Sequence, residues 1–226
     1  VQAAVRQLAV LHMLMRRCDL SEDRVEQFSF QDTRQIFLKR RKELRAIYSY
    51  IRQKKQWNDF EKLYMQLYGD CMKEADAALS ELNQFDFDGL RKKALDERTL
   101  CHGDFNYHQV ILNRKYTAVV NFDKMHYDIQ VKDLYQFLRK VLEKNNWDSS
   151  LGTMIMDTYL SVRTLSEEER RVLYALLTFP EKFWKIVNFY YNSRKVWIPG
   201  RHMEKLERLL IQQGVKKAFL EQTFSL

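Results

Sequence analysis

The sequence predicts an α+β fold that is mostly helical, with a small central β-hairpin region. Through most of the 226 residues, apolar side chains recur every three or four positions, which is the period of an amphipathic helix. Only six glycines and two prolines interrupt the chain, and 46% of its residues are hydrophobic. Such a composition is typical of a compact helix-rich protein. Short apolar runs typical of strands occur only near the middle of the chain.

The first part of the chain is predicted to be helical. The apolar stripe of the first helix contains His12, which we interpret as a buried core residue because amphipathic side chains commonly bury their rings. The polar segment 18–30 is predicted to be a connection. A basic helix over 32–55 and a second helix from position 57 to 82 follow, and we expect them to pair as an antiparallel hairpin. A turn is predicted at Asp88–Gly89.

The middle of the chain is predicted to form a β-hairpin. The apolar runs 109–113 and 116–121 are separated by Arg114–Lys115, a length that suits a tight hairpin loop.

Helical periodicity returns after position 130. A capping-box pattern at Ser166 and Glu169 predicts a helix start, and Pro180 suits the first turn of the next helix. Pro199–Gly200 is predicted to separate that helix from a closing pair. The predicted helices span 131–143, 147–162, 167–178, 181–192, 201–213 and 215–222.

Charge and cysteine content restrict the classes of partner. The net charge is +8, but the basic clusters alternate with acidic residues on helical patterns, so we interpret them as solvated faces. No nucleic-acid motif is present, and no apolar run reaches the ~20 residues that span a bilayer. The three cysteines have no paired spacing, which favours reduced thiols. We therefore predict a cytoplasmic protein without nucleic-acid or membrane partners.

The stretch from position 100 to 134 contains the candidate chemistry. The tripeptide His102-Gly103-Asp104 precedes Gln109, and Asn121 and Asp123 end the second predicted strand. A carboxylate base with oxygen ligands for magnesium is what transfer of a nucleotide phosphoryl group requires. A zinc site is predicted to be absent, because the spacing of the histidines and of Cys101 fits no compact zinc module. The residues considered for zinc are Cys101, His102, His108 and His126.

These motifs resemble the aminoglycoside phosphotransferase-like kinases, relatives of protein kinases, and most closely their CotS-like spore-coat subfamily. The resemblance covers essentially residues 1–220. The segments that carry it are His-Gly-Asp at 102–104, Tyr107-His108, Phe122-Asp123, Tyr127-Asp128, Asp133-Leu134, 137–139, 179–184, 190–195 and 197–199.

The resemblance implies that the chain is a kinase-like C-terminal lobe. Its expected parts are helices over 1–98, a catalytic-loop-like hairpin region over 99–130 and a helical subdomain over 131–226. The β-rich lobe that holds ATP in this superfamily is expected to lie outside this chain, since the six glycines form no Gly-x-Gly motif. ATP and Mg²⁺ are the cofactors that the resemblance implies.

Matching the motifs residue by residue assigns an expected role to each position. Asp104 matches the catalytic base, and His102 matches a residue that anchors its loop. Gln109 stands where the family has its metal-binding Asn, and Asn121 where it has its metal-binding Asp; both substitutions are expected to weaken magnesium binding. Asp123 could rescue the metal site because residues i and i+2 share a face of a strand.

Acids at the start of the helix after the hairpin have a structural explanation as well. Asp133 is expected to interact with the helix dipole and to support the catalytic loop, and Asp128 is interpreted in the same way.

Three functions are compatible with these expectations, and the third of them is a nucleotide-binding regulator that holds ATP or an anion without turnover. The preferred one is a spore-coat-associated pseudokinase with a degraded metal site, which acts as a structural or interaction component with spore-coat proteins as partners. The alternative is an ATP-dependent phosphotransferase that acts on a small hydroxyl-bearing molecule with Asp104 as base. The preferred function predicts that the protein is located in the spore coat as well as in the cytoplasm. The sequence makes no prediction of oligomeric state.

Overall fold

A computed structural model describes residues 1–17, 32–192 and 199–224. The predicted connection at 18–30, Cys18 and the part of the distal motif at 193–198 lie outside the described residues.

The first part of the chain is helical, as predicted. The predicted basic helix and its successor contact each other, and the second of them begins with a capping box in which Asn58 and Glu61 exchange hydrogen bonds. The helices of this part are α1 (Gln2–Leu14), α2 (Thr33–Arg52), α3 (Asp59–Leu82) and α4 (Phe87–Asp96).

The predicted turn at Asp88–Gly89 is wrong, because both residues belong to the first turn of α4. The side chain of Asp86 accepts a hydrogen bond from the backbone N–H of Gly89 at 2.8 Å and caps the helix. An aspartate followed by a glycine suits a turn, but here the cap and the burial of Phe87 favour a helix.

The central region contains two small antiparallel sheets. The predicted hairpin is confirmed: Val110 pairs with Val119 and Leu112 with Thr117, and the backbone N–H of Asn113 donates to the carbonyl of Tyr116 at 2.9 Å. The other sheet joins residues on either side of this hairpin, so it closes the base of the region. The strands are β1 (Leu100–Cys101), β2 (Val110–Leu112), β3 (Thr117–Val119) and β4 (His126–Tyr127), with a short 3₁₀ helix at Tyr107–Gln109.

The remaining helices follow the predicted order with one correction. The predicted break between 213 and 215 is wrong, because one helix continues through Gly214. A glycine inside a helix costs only about 1 kcal/mol, and burial of Leu206 and Phe219 on either side offsets it. These helices are α5 (Val131–Lys144), α6 (Ser149–Leu160), α7 (Glu167–Thr178), α8 (Glu181–Asn192) and α9 (Pro199–Thr223).

Among the described residues, two large groups of buried apolar residues lie between the helices, and a third, small group consists of Met15, Leu100 and Tyr127. One large group joins α1, α5, α6 and α7, and it includes Phe105 from the loop after β1. The other large group joins α2, α3, α8 and α9 around Tyr64 and Phe183. Because Phe105 is fully buried, the loop that carries His102 and Asp104 is fixed to the first core. Within the described ranges, no helix is both long and apolar enough to cross a membrane.

Candidate active site

The loop after β1 is held by the carboxylate of Asp133. Asp133 lies in the first turn of α5 and is buried. It accepts hydrogen bonds from the backbone N–H of His102 at 2.6 Å and from that of Gly103 at 2.9 Å. Backbone donors and a helix N-terminus both stabilise a negative charge. One side chain therefore determines the path of the loop immediately before Asp104.

His12 of α1 forms a hydrogen bond with the same carboxylate. Its Nε2 lies 3.3 Å from Asp133 and its Nδ1 lies 2.7 Å from the hydroxyl of Tyr159, and both residues are buried with it. Burial lowers the pKa of His12 despite the opposing effect of Asp133. The neutral ring then donates from Nε2 to Asp133 and accepts at Nδ1 from Tyr159. The core interpretation of His12 from the sequence agrees with its full burial.

The ring of His102 links the loop to the strand that leads to Asn121. Its Nε2 donates to the carbonyl of Val120 at 3.0 Å, and its Nδ1 accepts from the backbone N–H of Asp104 at 3.3 Å. The ring also packs against Phe105 and Phe122. His102 thus contacts both segments that carry candidate site residues.

Gly103 has a backbone conformation that requires glycine. Its φ is +80°, in the left-handed region, and a Cβ at this position would collide with the carbonyl of Lys124. The absence of a side chain lets the loop approach the segment before β4. This approach also brings Lys124 beside the next residue of the loop.

Asp104 is paired with two lysines. Its Oδ2 lies 2.8 Å from Nζ of Lys124, and its Oδ1 lies 3.6 Å from Nζ of Lys140. The hydrogen bond from Lys124, with a further contribution from Lys140, holds the pKa of Asp104 below its ordinary value although partial burial opposes this. The carboxylate is therefore ionised and balanced by positive charge.

Asn106 positions Asp104 and the turn that follows. Its Nδ2 donates to the Asp104 carbonyl at 2.8 Å and to Oδ1 at 3.2 Å, while its own Oδ1 accepts from the N–H of His108 at 2.9 Å. The side chain is almost fully buried. The side chain of Asn commonly accepts a hydrogen bond from the backbone two residues further along the chain. This preference is the sequence signal by which Asn106 could have been selected as a site residue.

The positions expected to bind metal differ in exposure. Gln109 is half-buried and lines a cleft together with Asp104, whereas Asn121 and Asp123 are exposed. The backbone N–H of Val120 donates to the carbonyl of Gln109 at 3.0 Å, so the hairpin brings Gln109 next to Asn121 in space. Asn121 has φ +64°, a conformation that Asn tolerates better than most residues. Among the residues that the structure describes, no three His, Cys, Asp or Glu side chains form a metal-binding group.

Two clefts meet at Asp104. The first, of about 680 Å³, lies between the catalytic-loop-like segment and helices α5, α8 and α9. The second, of about 640 Å³, lies against α2 and includes Lys124 and His126. We call the first the basic cleft; its charged lining residues are Asp104, Lys140, Glu143, Lys144, Lys182, Lys205 and Arg208.

Sequence reasoning missed the two lysines that pair with Asp104. Lys124 lies in a predicted loop and Lys140 on a helix, with nothing in their spacing to connect them to the His-Gly-Asp motif. Only the folding of β4 and α5 against the loop brings their ammonium groups to the carboxylate.

The fold and the His-Gly-Asp loop define the kinase-like fold of the aminoglycoside phosphotransferase class. The chain is similar to the aminoglycoside phosphotransferase of Alicyclobacillus acidocaldarius subsp. acidocaldarius DSM 446, with a TM-score of 0.85 and 20% identity. The match covers 98% of this chain and 64% of that one.

The chain belongs to the family described as "Spore coat putative kinase YutH", whose model matches residues 2–223. It is also 23% identical over 164 residues to "Spore coat protein S" of Bacillus subtilis (strain 168). These aligned residues cover 72% of this chain and 47% of that relative. The chain thus spans under half the length of this curated relative and under two thirds of the solved structure. The predicted resemblance to the spore-coat subfamily is confirmed.

Proposed function

We propose that this chain belongs to a spore-coat-associated pseudokinase, which uses a kinase-like fold for binding and not for phosphoryl transfer. The observation that carries the proposal is the donor set: amide side chains at 109 and 121 stand where the resemblance implies metal ligands. At position 121 the amide replaces an expected carboxylate, and an amide oxygen is a weaker magnesium ligand because it carries no net charge; at 109 Gln replaces an expected Asn, so the change there is in length only. The remaining acid nearby in sequence, Asp123, is exposed.

The magnitude of this loss can be estimated from Coulomb's law. At 4 Å near a protein surface, one pair of unit charges is worth about 4 kcal/mol. An Asn at 121 therefore forfeits an interaction of at least this order with a divalent ion. Gln109 adds a geometric mismatch, since its carbonyl extends one bond further and magnesium requires nearly ideal octahedral geometry.

Lys124 and Lys140 add a second argument against a metal at this site. Both ammonium groups contact the carboxylate of Asp104. A divalent cation beside Asp104 would face their repulsion. Among the described residues the charge of Asp104 is thus already compensated by two ammonium groups, which supports the proposal that this donor set suits Mg²⁺ poorly.

The test is thermal unfolding of the complete protein with and without Mg-ATP. We expect little magnesium-dependent stabilisation of the wild type, and a larger shift for the double variant Gln109→Asn/Asn121→Asp. Asp123→Ala is the control, because it removes the acid that could rescue the site. A clear Mg-ATP shift in the wild type that Asp123→Ala abolishes would contradict the pseudokinase proposal.

The alternative function is an ATP-dependent phosphotransferase with Asp104 as base. The observation that favours it is the position of Asp104, which is partly exposed at the junction of two clefts on a loop fixed by Asp133. A polycationic aminoglycoside is a poor candidate for the acceptor, because five cations line the basic cleft against two carboxylates. ATP consumption that depends on a small hydroxyl-bearing molecule, and that is lost in Asp104→Asn, would establish this function.

A further inference from the structure

The basic cleft contains positive charge that no carboxylate among the described residues balances. Its two carboxylates already have partners: Asp104 contacts Lys124 and Lys140, and Glu143 contacts Arg139 at 2.6 Å and Lys182 at 3.2 Å.

The other three cations of the cleft have no carboxylate partner among the residues that the structure describes. These are Lys144, at the end of α5, and Lys205 and Arg208 on α9. The ammonium group of Lys144 lies 4.0 Å from the centre of the Tyr107 ring, which places this charge on the cleft wall beside the catalytic-loop-like segment. The three cations therefore line one cleft from two helices, Lys144 from α5 and Lys205 and Arg208 from α9.

Lys205 also lies close to positive charge on α8 and on its own helix. Its side chain is exposed, but partial loss of hydration beside the neighbouring side chains, together with the nearby charges of Arg201 and Lys182, lowers its pKa. A bound anion would relieve this repulsion. The side chains of Lys205 and Arg208 are one helical turn apart, so an anion could contact both.

The shape of the cleft indicates the size of the ligand. A volume of about 680 Å³ falls within the range of about 300–1,000 Å³ that is typical of small-molecule sites. Leu209 and Gln212 contribute to its wall, so the lining is not uniformly charged. Arginine and lysine are the side chains that bind phosphate groups most strongly, since arginine offers a planar fork and lysine a point charge.

From these observations we infer that the basic cleft binds a small phosphorylated molecule, with its phosphate held by Lys144, Lys205 and Arg208. The inference goes beyond the pseudokinase proposal and does not depend on it, because it needs neither ATP nor a metal. In a pseudokinase the molecule would be a bound effector. In the alternative phosphotransferase, a hydroxyl of the same molecule could reach Asp104.

The experiment is calorimetric titration of the complete protein with inorganic phosphate, pyrophosphate and glucose 6-phosphate, in the presence of EDTA. Glucose serves as the uncharged control. We expect the phosphorylated probes to bind and glucose not to bind. The double variant Lys205→Gln/Arg208→Gln should lower the affinity at least about tenfold, because two charge-assisted contacts are lost. The charge-preserving variant Lys205→Arg/Arg208→Lys should retain most of it.

A matched control separates the cleft from diffuse surface charge. Arg6→Gln/Lys217→Gln also removes one arginine and one lysine charge, but from exposed positions that do not line the cleft. This variant should leave the affinity unchanged. An equal loss in this control, or no binding of any phosphorylated probe, would overturn the inference. So would tighter binding of a hexaglutamate peptide than of pyrophosphate with the same dependence on Lys205 and Arg208, which would assign the cleft to an acidic polypeptide.

These outcomes are distinguishable from failure of the pseudokinase proposal. The pseudokinase proposal is tested by adding Mg-ATP to the wild type and to Asp123→Ala. The cleft is tested in the absence of metal, with variants of Lys205 and Arg208 on α9. Melting temperatures of the unliganded variants verify that each is folded before titration.

Discussion

The residues that hold the loop after β1 and the positions expected to bind metal differ in their burial and in the hydrogen bonds that fix them. Asp133 accepts two backbone hydrogen bonds and contacts His12; Asp133, His12 and His102 are buried, and Gly103 is partly buried. Asn121 and Asp123 lie on the exposed segment after β3. The loop geometry of a kinase-like fold can thus be maintained by packing alone, independently of the side chains that would supply its metal chemistry.

The strongest test of this comparison is removal of the buried carboxylate. Asp133→Ala leaves two backbone N–H groups and His12 without their acceptor, which should lower the free energy of unfolding by about 3–5 kcal/mol. Urea unfolding measures the change. Asp123→Ala, at an exposed position, should change it by less than about 0.5 kcal/mol. Similar losses for both variants would show that the two regions are equally structural.

A smaller effect is expected from Gly103→Ala. The left-handed backbone and the collision with the Lys124 carbonyl should together cost roughly 1–3 kcal/mol. The matched control is Gly69→Ala in α3, where a Cβ meets no atom within 4 Å and where alanine should stabilise the helix by about 0.5–1 kcal/mol. If Gly103→Ala were as stable as the wild type, the loop would be less constrained than its contacts indicate.

The pH dependence of stability should give the smallest signal. Because burial lowers the pKa of His12 from 6.5 in the folded state, the unfolded chain binds the proton more readily below pH 6.5. The contribution of His12 is therefore complete above pH 6.5 and is lost as the pH falls toward the folded pKa, with a slope of at most about 1.4 kcal/mol per pH unit. Urea unfolding between about pH 5 and pH 7 should show this slope in the wild type and lose it in His12→Gln.

His126 provides an internal comparison for that experiment. Burial opposes its charge, but hydrogen bonds to Asp128 and to the Lys124 carbonyl raise its pKa above 6.5. Its contribution is complete below pH 6.5 and is lost as the pH rises through its folded pKa. A His126→Gln variant should therefore change the profile above pH 6.5 and leave the slope below it intact. A slope below pH 6.5 that persists in His12→Gln would have to come from other groups.

Much of the fold could be predicted from local pattern. The capping box at Ser166 and Glu169 starts α7 as predicted, and the strand residues around Arg114–Lys115 form the predicted hairpin. The two errors, at Gly89 and Gly214, share one cause. Glycine favours a break by its own conformational preference, and the packing of Phe87 and of Phe219 outweighs that preference.

By itself, the sequence determined the helical periods, the hairpin and the His-Gly-Asp motif, because these depend on residues close together in the chain. Only the tertiary structure decided that His12 meets Asp133, which is 121 positions away in the chain, and Tyr159, which is 147 positions away. It likewise placed Lys124 and Lys140 on Asp104 and brought α9 across the basic cleft. Such contacts arise when helices bury their apolar faces against one another, and no local spacing records which polar groups that packing brings together.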